Sequence, residues 1–207
     1  VNTADGTAVA GDDYTAIAGG TVLFADGDSA SKSIQVTLTD DKIKEPDESF
    51  TVSLSAPTGG ATLGNDNASV TIENDDEPGA LAIDPASVAV NEAAGTATIT
   101  VTRTGGSDGA VSATVNTADG TAVAGDDYTA IAGGTVLFAD GDSDSKSIQV
   151  TLTDDKVREP EETFTVTISA PTGDAELGNV TGTVTIQDDD EGPDVIIEDS
   201  FEGPTNP

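Results

Sequence analysis

The feature that most constrains this chain is an internal duplication. Residues 1–77 align with residues 115–191 without insertion or deletion, and residues 1–29 are identical to residues 115–143. Self-similarity over such a length is typical of a duplicated domain, and copies of one unit are expected to fold alike. The second copy is preceded by residues 80–114, which have no counterpart in residues 1–77. The two copies are therefore expected to share a structure except where residues 80–114 contribute to it.

The duplication predicts two modules and a tail. Residues 78–191 are expected to form a complete module, and residues 1–77 the same module without its first two strands. Residues 192–207 are expected to act as a linker or as a donor strand, because their apolar run at 195–197 is long enough to add to a sheet edge. We expect either that the native chain continues upstream of Val1 or that another molecule completes the first module. Donation of a strand would join subunits head to tail.

The period of the apolar residues predicts an all-β fold. In residues 78–191 apolar side chains alternate with threonine and serine, and no segment has a helical period. The first predicted strand carries Leu81, Ile83, Val88 and Val90 and is interrupted at Pro85. The other predicted strands are 96–104, 111–117, 135–139, 146–153, 163–169 and 183–187. Short strands with one apolar face predict a seven-stranded antiparallel β-sandwich of immunoglobulin-like architecture. Core or corner positions are predicted for Tyr14, Phe24, Tyr128 and Phe138.

Composition argues against several classes of function. The chain has 39 acidic and 7 basic residues and a formal net charge of -32, which does not suit binding to nucleic acid phosphates. Histidine and cysteine are both absent, which argues against zinc, iron and copper sites and against cysteine or histidine catalysis. No apolar run approaches the roughly 18 residues of a membrane span. We therefore expect neither an enzyme nor a membrane-spanning segment.

Carboxylates are concentrated where alternate predicted strands end. If consecutive strands run in opposite directions, the first, third, fifth and seventh strands all end at one pole of the sandwich. The acids after these strands are Glu92, Asp119, Asp126, Asp127, Asp154, Asp155, Glu159, Asp188, Asp189 and Asp190. Two like charges about 5 Å apart repel by roughly 3 kcal/mol at an effective dielectric constant near 20, so a bound divalent cation is favoured. The alternative is a set of solvated loop carboxylates screened by salt.

Four motifs follow one another in the second module, at residues 119–128 (DGTAVAGDDY), 134–138 (GTVLF), 154–164 (DD…ETF) and 185–190 (TIQDDD). Taken together and in this order, they resemble those of tandem Calx-β domains, here expected in a bacterial extracellular or adhesin-type repeat protein. The resemblance covers nearly all of residues 1–191 and implies Ca²⁺ bound in the loops of one pole. That pole is the same one that strand direction predicts.

The resemblance also implies a set of calcium ligands in each module. In the second module these are Glu92, Asp127, Asp154, Asp155, Glu159, Glu162, Asp188, Asp189 and Asp190. In the first module they are Asp13, Asp40, Asp41, Glu45, Glu48, Asp75 and Asp76. The first module has Asn74 in place of the first acid of the closing triplet, and it has no counterpart of Glu92. Its site is therefore expected to be weaker or incomplete.

The function expected from these features is that of a calcium-binding structural repeat in an extracellular surface protein, adhesin or filament. Residues 75–79 join the acidic end of the first module to the second, so Ca²⁺ there would stiffen the junction. The expected partners are calcium ions and neighbouring copies or modules of the same protein. The alternative is a calcium-sensing regulatory module that changes the state of a partner.

Overall fold

A computed structural model describes residues 1–190, so the predicted tail at 192–207 lies outside the described residues. Within this range every regular element is a strand except for one turn of 3-10 helix at Glu92–Ala94. None of the helical structure in residues 1–190 is long and apolar enough to cross a membrane. The all-β prediction is confirmed.

The strands follow the period-two segments of the sequence closely in the second half of the chain. The elements are β1 (Asn2–Asp5), β2 (Glu48–Ser53), β3 (Asn67–Ile72), β4 (Ala80–Ile83), β5 (Ser87–Asn91), β6 (Thr96–Thr104), β7 (Val111–Asp119), β8 (Gly134–Phe138), β9 (Lys146–Thr151), β10 (Glu162–Ser169), β11 (Glu176–Leu177) and β12 (Thr181–Gln187). The short strand β11 has no counterpart among the predicted strands. It adds to the edge of β4.

The second half of the chain forms the predicted sandwich. One sheet has the order β5-β12-β10-β7-β8 and the other has the order β11-β4-β6-β9. Pairing is antiparallel except for the parallel pairs β5 with β12 and β4 with β11. The predicted first strand is divided at Pro85, which has no N–H to donate to a ladder. As a result β4 pairs with β6 in one sheet and β5 pairs with β12 in the other.

This division of the first strand determines where Glu92 lies. The parallel register places Asn91 opposite Gln187, so the chain leaves both strands in the same direction at the same end of the sheet. Glu92 follows the first of these residues, and the acidic triplet 188–190 follows the second. Residues far apart in sequence therefore meet at one pole.

The core between the two sheets consists of the inward residues of each strand. Ile99, Val101, Phe164 and Val166 are each at most 1% exposed, and burial of each such side chain contributes about 1.5–3 kcal/mol. Tyr128 stacks on Phe164 with ring centroids 4.1 Å apart. The apolar residues at alternate positions of the strands thus form one continuous core.

Tyr128 also closes the corner after β7. Its hydroxyl donates to Asp119 Oδ1 at 2.6 Å. Burial, followed by this hydrogen bond to Asp119, raises the pKa of Tyr128 to about 12. The first repeat contains the same contact, from Tyr14 to Asp5 Oδ1 at 2.6 Å.

The first half of the chain forms a smaller sheet of the order β1-β2-β3. Its core is Ala8, Tyr14 and Phe50, with the two rings stacked at 4.1 Å. The two copies differ in one strand, because residues 32–37 form no strand whereas their counterparts at 146–151 do. In the second copy that strand pairs with β6, and β8 pairs with residues 111–115. Of these partner residues, only Val115 has a counterpart in residues 1–77.

The core position predicted for Phe24 is wrong for the same reason. Phe24 is 54% exposed, whereas its counterpart Phe138 is fully buried. Tyr14, Tyr128 and Phe138 do lie in the core. The side chains are identical, so the difference comes from the strands that pack on them and not from local sequence.

Candidate metal centre

Three clusters of carboxylates lie at the acidic pole of the second half. Glu92 belongs to two of them, one with Asp154 and Asp189 and the other with Asp155 and Asp190. In each cluster the candidate ligand oxygens lie within 4.8 Å of one another. The third cluster is Asp127, Glu159 and Glu162. Four separate segments, those that follow β5, β7, β9 and β12, thus contribute to one end of the sandwich.

A tight turn after β5 holds Glu92 in place. The Asn91 side chain accepts a hydrogen bond from the Ala93 N–H at 3.0 Å, and the Gly95 N–H donates to the Glu92 carbonyl at 2.9 Å. Gly95 has φ 69°, a left-handed conformation in which glycine carries no steric penalty. The loop after β9 is similarly fixed, because Asp155 Oδ1 accepts from the Val157 N–H at 2.6 Å. Backbone hydrogen bonds therefore hold these loops in place.

Glu92 is the electrostatic centre of this arrangement. It is 6% exposed, and its Oε1 atom is buried with no hydrogen-bond partner among the described residues. Burial, followed by repulsion from Asp188 and Asp190, raises the pKa of Glu92 to about 7. Asp190 Oδ2 is likewise buried and unpartnered, and burial raises the pKa of Asp190. Unpaired buried charges of one sign are costly, and a cation between them removes the cost.

The third cluster has its own supporting contacts. Asp127 Oδ2 accepts from the Val123 N–H at 2.6 Å, and Glu162 is the first residue of β10. Burial and then the side chain of Asp127 raise the pKa of both Glu159 and Glu162. All the candidate ligands are carboxylate oxygens, which Ca²⁺ prefers and binds in sets of six to eight oxygens. The residues present fit a calcium ion.

The first repeat has two clusters at its equivalent pole. One is Asp13, Glu45 and Glu48, which are the counterparts of the third cluster above. The other is Asp40, Asp75 and Asp76. Asp13 Oδ2 accepts from the Val9 N–H at 2.6 Å, which repeats the contact of Asp127. The duplication has therefore preserved this part of the geometry.

Asn74 and Lys42 distinguish the first repeat. Asn74 donates to the Asp76 carbonyl at 3.0 Å and accepts from the Glu45 N–H at 2.9 Å, so it connects the two acidic loops. Lys42 Nζ lies 3.7 Å from Asp76 Oδ1 and 3.9 Å from Asp108 Oδ1 of the second repeat. Asp76 raises the pKa of Lys42, which places a stable positive charge beside this cluster.

Most of the predicted ligands lie in one of the five clusters. The exceptions among the described residues are Asp41 and Asp188. Asp41 Oδ1 accepts from the Ile43 N–H at 2.8 Å, and Asp188 Oδ1 accepts from the Asp190 N–H at 3.3 Å. Asp41 is the counterpart of Asp155, whose cluster depends on Glu92. The roles of all these residues as ligands remain predictions.

Sequence analysis missed Lys42 and Arg103. Arg103 is 2% exposed. It donates to the carbonyl oxygens of Pro78, Asp108, Gly109, Ala139 and Asp142 at 2.8–3.2 Å. The available signal was periodicity, because Arg103 occupies the inward position that follows Ile99 and Val101 on β6. Arg103 ties the segment between the repeats to the loops of the second repeat.

Comparisons with known proteins show which family the chain belongs to. The model of the Calx-beta domain matches residues 1–76 and 74–190. Sodium/calcium exchanger 2 of Rattus norvegicus is 32% identical over 185 residues, and sodium/calcium exchanger 1 of Bos taurus is 36% identical over 188 residues. Each alignment covers 82% of this chain but only 20% and 19% of the respective relatives. The chain thus spans about a fifth of their length.

Solved structures give the same family. The apo-form Calx CBD1 domain is 30% identical, with a TM-score of 0.51 over 54% of this chain and 97% of that one. The Calx CBD2 domain, at 21% identity and a TM-score of 0.51 over 56% of this chain and 90% of that one, shows a likeness of fold alone. The predicted Ca²⁺ is confirmed for the family, whereas the relatives named here are exchangers and do not support a bacterial adhesin-type setting. The chain belongs to the Calx-β family of calcium-binding domains.

Proposed function

We propose that this pair of Calx-β domains is a calcium-sensing regulatory module. The observation that carries the proposal is Glu92, a buried and unpartnered carboxylate shared by two acidic clusters. Like charges buried close together destabilise a site of this kind, and a bound cation offsets their repulsion. The exchanger relatives, aligned along most of the chain, favour a regulatory role over a purely structural one.

Two groups of carboxylates at the acidic pole of the second repeat share Glu92. Glu92 would hold Ca²⁺ together with Asp154 and Asp189, and together with Asp155 and Asp190. Ca²⁺ supplies positive charge that pairs with all of these carboxylates at once. The loops after β5, β9 and β12 are then fixed to one another, although they are distant in sequence.

In the first repeat, calcium binding would affect a contact between the two repeats. Lys42 lies between Asp76 of its own cluster and Asp108 of the second repeat. A cation bound by Asp40, Asp75 and Asp76 would compete with the Lys42 ammonium for Asp76. Lys42 is half exposed and its charge is screened by solvent, so the coupling would be a few-fold in affinity.

The experiment is a calorimetric calcium titration of chelator-treated protein, with small-angle scattering at each calcium concentration. The regulatory proposal expects binding accompanied by a change in shape over a narrow calcium range. Glu92→Gln should weaken binding by at least about tenfold. Asp144→Ala is a matched control, because the first repeat naturally has Ala30 at this position. Absence of binding at millimolar calcium would refute both the site and the function.

The spacer role expected from the sequence gives a different result in the same titration. A structural spacer at the cell surface would remain saturated at millimolar calcium with no change in shape over the sensing range. Adhesion, filament formation and an extracellular location have no support from the relatives and remain predictions. Binding without a change in shape would favour the spacer over the sensor.

A further inference from the structure

Two neighbouring strands of the second repeat have an open edge. Strand β8 is the last strand of its sheet and pairs with β7, and β9 is the last strand of the other sheet and pairs with β6. Every strand of this sandwich lies within residues 80–187, so the open edges belong to the sandwich itself. Edge strands present backbone N–H and C=O groups that can pair with another extended segment.

A groove of about 290 Å³ lies between these two edges. The apolar residues that line it are Val115, Ile131, Val136, Leu137 and Ile148. Its volume is close to the lower limit of roughly 300 Å³ for ligand pockets. The groove therefore fits a few side chains of an extended segment better than a bulky ligand.

The backbone of β9 offers hydrogen-bonding groups to this groove. Residues of an antiparallel strand alternate between those that bond to the neighbouring strand and those that face away from it. The Leu152 N–H donates to the Gly95 carbonyl, so every second residue before Leu152 bonds to β6. The N–H and C=O groups of Ser147 and Gln149 therefore face away from β6, towards the open edge.

The open edge of β9 is limited at both ends. At one end the Thr129 N–H donates to the Thr151 carbonyl at 2.9 Å, so a loop already occupies the edge there. At the other end the turn at residues 139–145 connects β8 to β9. Residues 146–150 remain, which is enough to pair with an extended segment of about five residues.

The charges around the groove indicate what kind of segment fits. Strand β8 has no charged residue, and β9 has one, Lys146, whose ammonium lies 2.6 Å from Asp142 Oδ2. Carboxylates lie at both ends, in the loop before Thr129 and in the turn between β8 and β9. They are Asp126, Asp127, Asp140, Asp142 and Asp144. A chain with a net charge of -32 also attracts a cationic partner and repels a second copy of itself.

We propose that this groove binds an extended segment of another protein in which apolar residues alternate with lysine or arginine. The backbone of the segment pairs with Ser147 and Gln149 of β9. Its apolar side chains pack on Ile131 and Ile148, and its basic side chains reach the aspartates at the two ends. Addition of a strand combines main-chain hydrogen bonds with specific contacts for alternate side chains. The residues that line the groove belong to none of the carboxylate clusters, so this site is separate from the proposed calcium site.

The test uses the full chain in excess chelator and short synthetic peptides in which lysine alternates with valine, lysine with serine, or glutamate with valine. We expect saturable binding of the lysine–valine peptide and slower amide hydrogen exchange at Ser147 and Gln149, by at least about tenfold, measured by NMR. The lysine–serine peptide should bind at least about tenfold more weakly, because it buries no apolar side chain. The glutamate–valine peptide should not bind, because its charge has the same sign as that of the chain.

A matched pair of substitutions locates the site. Ile131→Arg places a cation in the groove and should weaken binding of the lysine–valine peptide by at least about tenfold. The contacts of residue 131 with Thr117 involve its backbone N–H and carbonyl, so the substitution leaves them in place. Val180→Arg adds the same charge beside β12, which β10 and β7 separate from β8. Its effect on binding should stay below about twofold, because salt screens a charge at that distance.

Four outcomes would overturn the proposal. Unchanged exchange at Ser147 and Gln149 at saturating peptide would exclude pairing with β9. Equal binding of the lysine–valine and lysine–serine peptides would leave only non-specific charge attraction, and equal effects of the two arginine substitutions would place the peptide elsewhere.

The fourth outcome is slow exchange at Ser147 and Gln149 before any peptide is added. A second copy would then be the occupant if this protection increased with protein concentration, and a segment of the same chain if it did not. The peptide comparisons do not depend on any variant. Because all of these measurements are made without calcium, failure here leaves the calcium proposal intact.

Discussion

Replacement of Glu92 by glutamine should stabilise the calcium-free protein at neutral to alkaline pH. The substitution keeps the size of the side chain and removes the charge that the fold buries without a partner. Asp188, Asp190, Asp155 and Asp189 all contribute to the repulsion that Glu92 experiences. The neutral amide would also be able to donate a hydrogen bond to one of these carboxylates. A conservative change at the centre of a binding site is therefore expected to increase stability.

The magnitude follows from the pKa of Glu92. Its value rises from an ordinary 4.5 to about 7 in the folded protein, so the folded state holds this proton more tightly than the unfolded state. The favourable contribution of the protonated group is complete below the unfolded pKa and is lost as pH rises through the folded pKa. Ionisation of Glu92 then costs the folded state about 3 kcal/mol near pH 8 and less than about 1 kcal/mol near pH 5.

Urea denaturation of calcium-free protein at several pH values is the appropriate assay. The Glu92→Gln variant should be more stable than the parent by up to about 3 kcal/mol near pH 8, and this advantage should shrink towards pH 5. Glu161→Gln, at an exposed position of the same pole, should change stability by less than about 0.5 kcal/mol. Addition of calcium should reverse the order, because the parent then binds more ions. A destabilised variant near pH 8, or an advantage independent of pH, would refute the reasoning.

Three further predictions concern contacts outside that cluster. Lys42→Met removes the ammonium beside Asp76 and should raise the calcium affinity of the first repeat by about two- to fivefold at low salt, with a smaller effect at high salt, measured by calorimetry. Arg103→Met should lower the free energy of unfolding by roughly 3 kcal/mol in urea, since five carbonyl oxygens lose their donor, and Arg103→Lys should recover part of the loss. Tyr128→Phe should cost about 1–2 kcal/mol through loss of the hydrogen bond to Asp119, whereas Tyr14→Phe in the smaller sheet should leave the unfolding of the second repeat unchanged.

Strand direction was sufficient to predict the acidic pole. Period-two alternation gave the strands of the second repeat to within a few residues, and counting strands then placed Glu92, Asp154 and Asp189 at one end. The structure brings these three carboxylates together. Counting did not predict the parallel pairing of β5 with β12, which is what makes Glu92 and the closing triplet immediate neighbours. Parallel pairing across a divided strand leaves no local pattern in the sequence.

The charges that oppose the carboxylates could not be predicted in the same way. Lys42 is half exposed in a loop, and its position between Asp76 and Asp108 depends on how the two repeats meet. Arg103 did leave a signal, because a charge at an inward position of a strand needs buried partners. Those partners are backbone carbonyls from three separate segments, which no side-chain motif identifies.

One structural difference accounts for both departures of the first repeat from the second. Residues 32–37 have the same sequence as the strand at 146–151. Only the latter forms a strand, since only it has β6 as a partner. Strand propensity is therefore insufficient, and cross-strand pairing decides. Asp41 is the counterpart of Asp155 but belongs to no carboxylate cluster, because the cluster of Asp155 includes Glu92. Residues 80–114 supply both β6 and Glu92, so in the second repeat one segment provides a strand of the sandwich and the carboxylate shared by two acidic clusters.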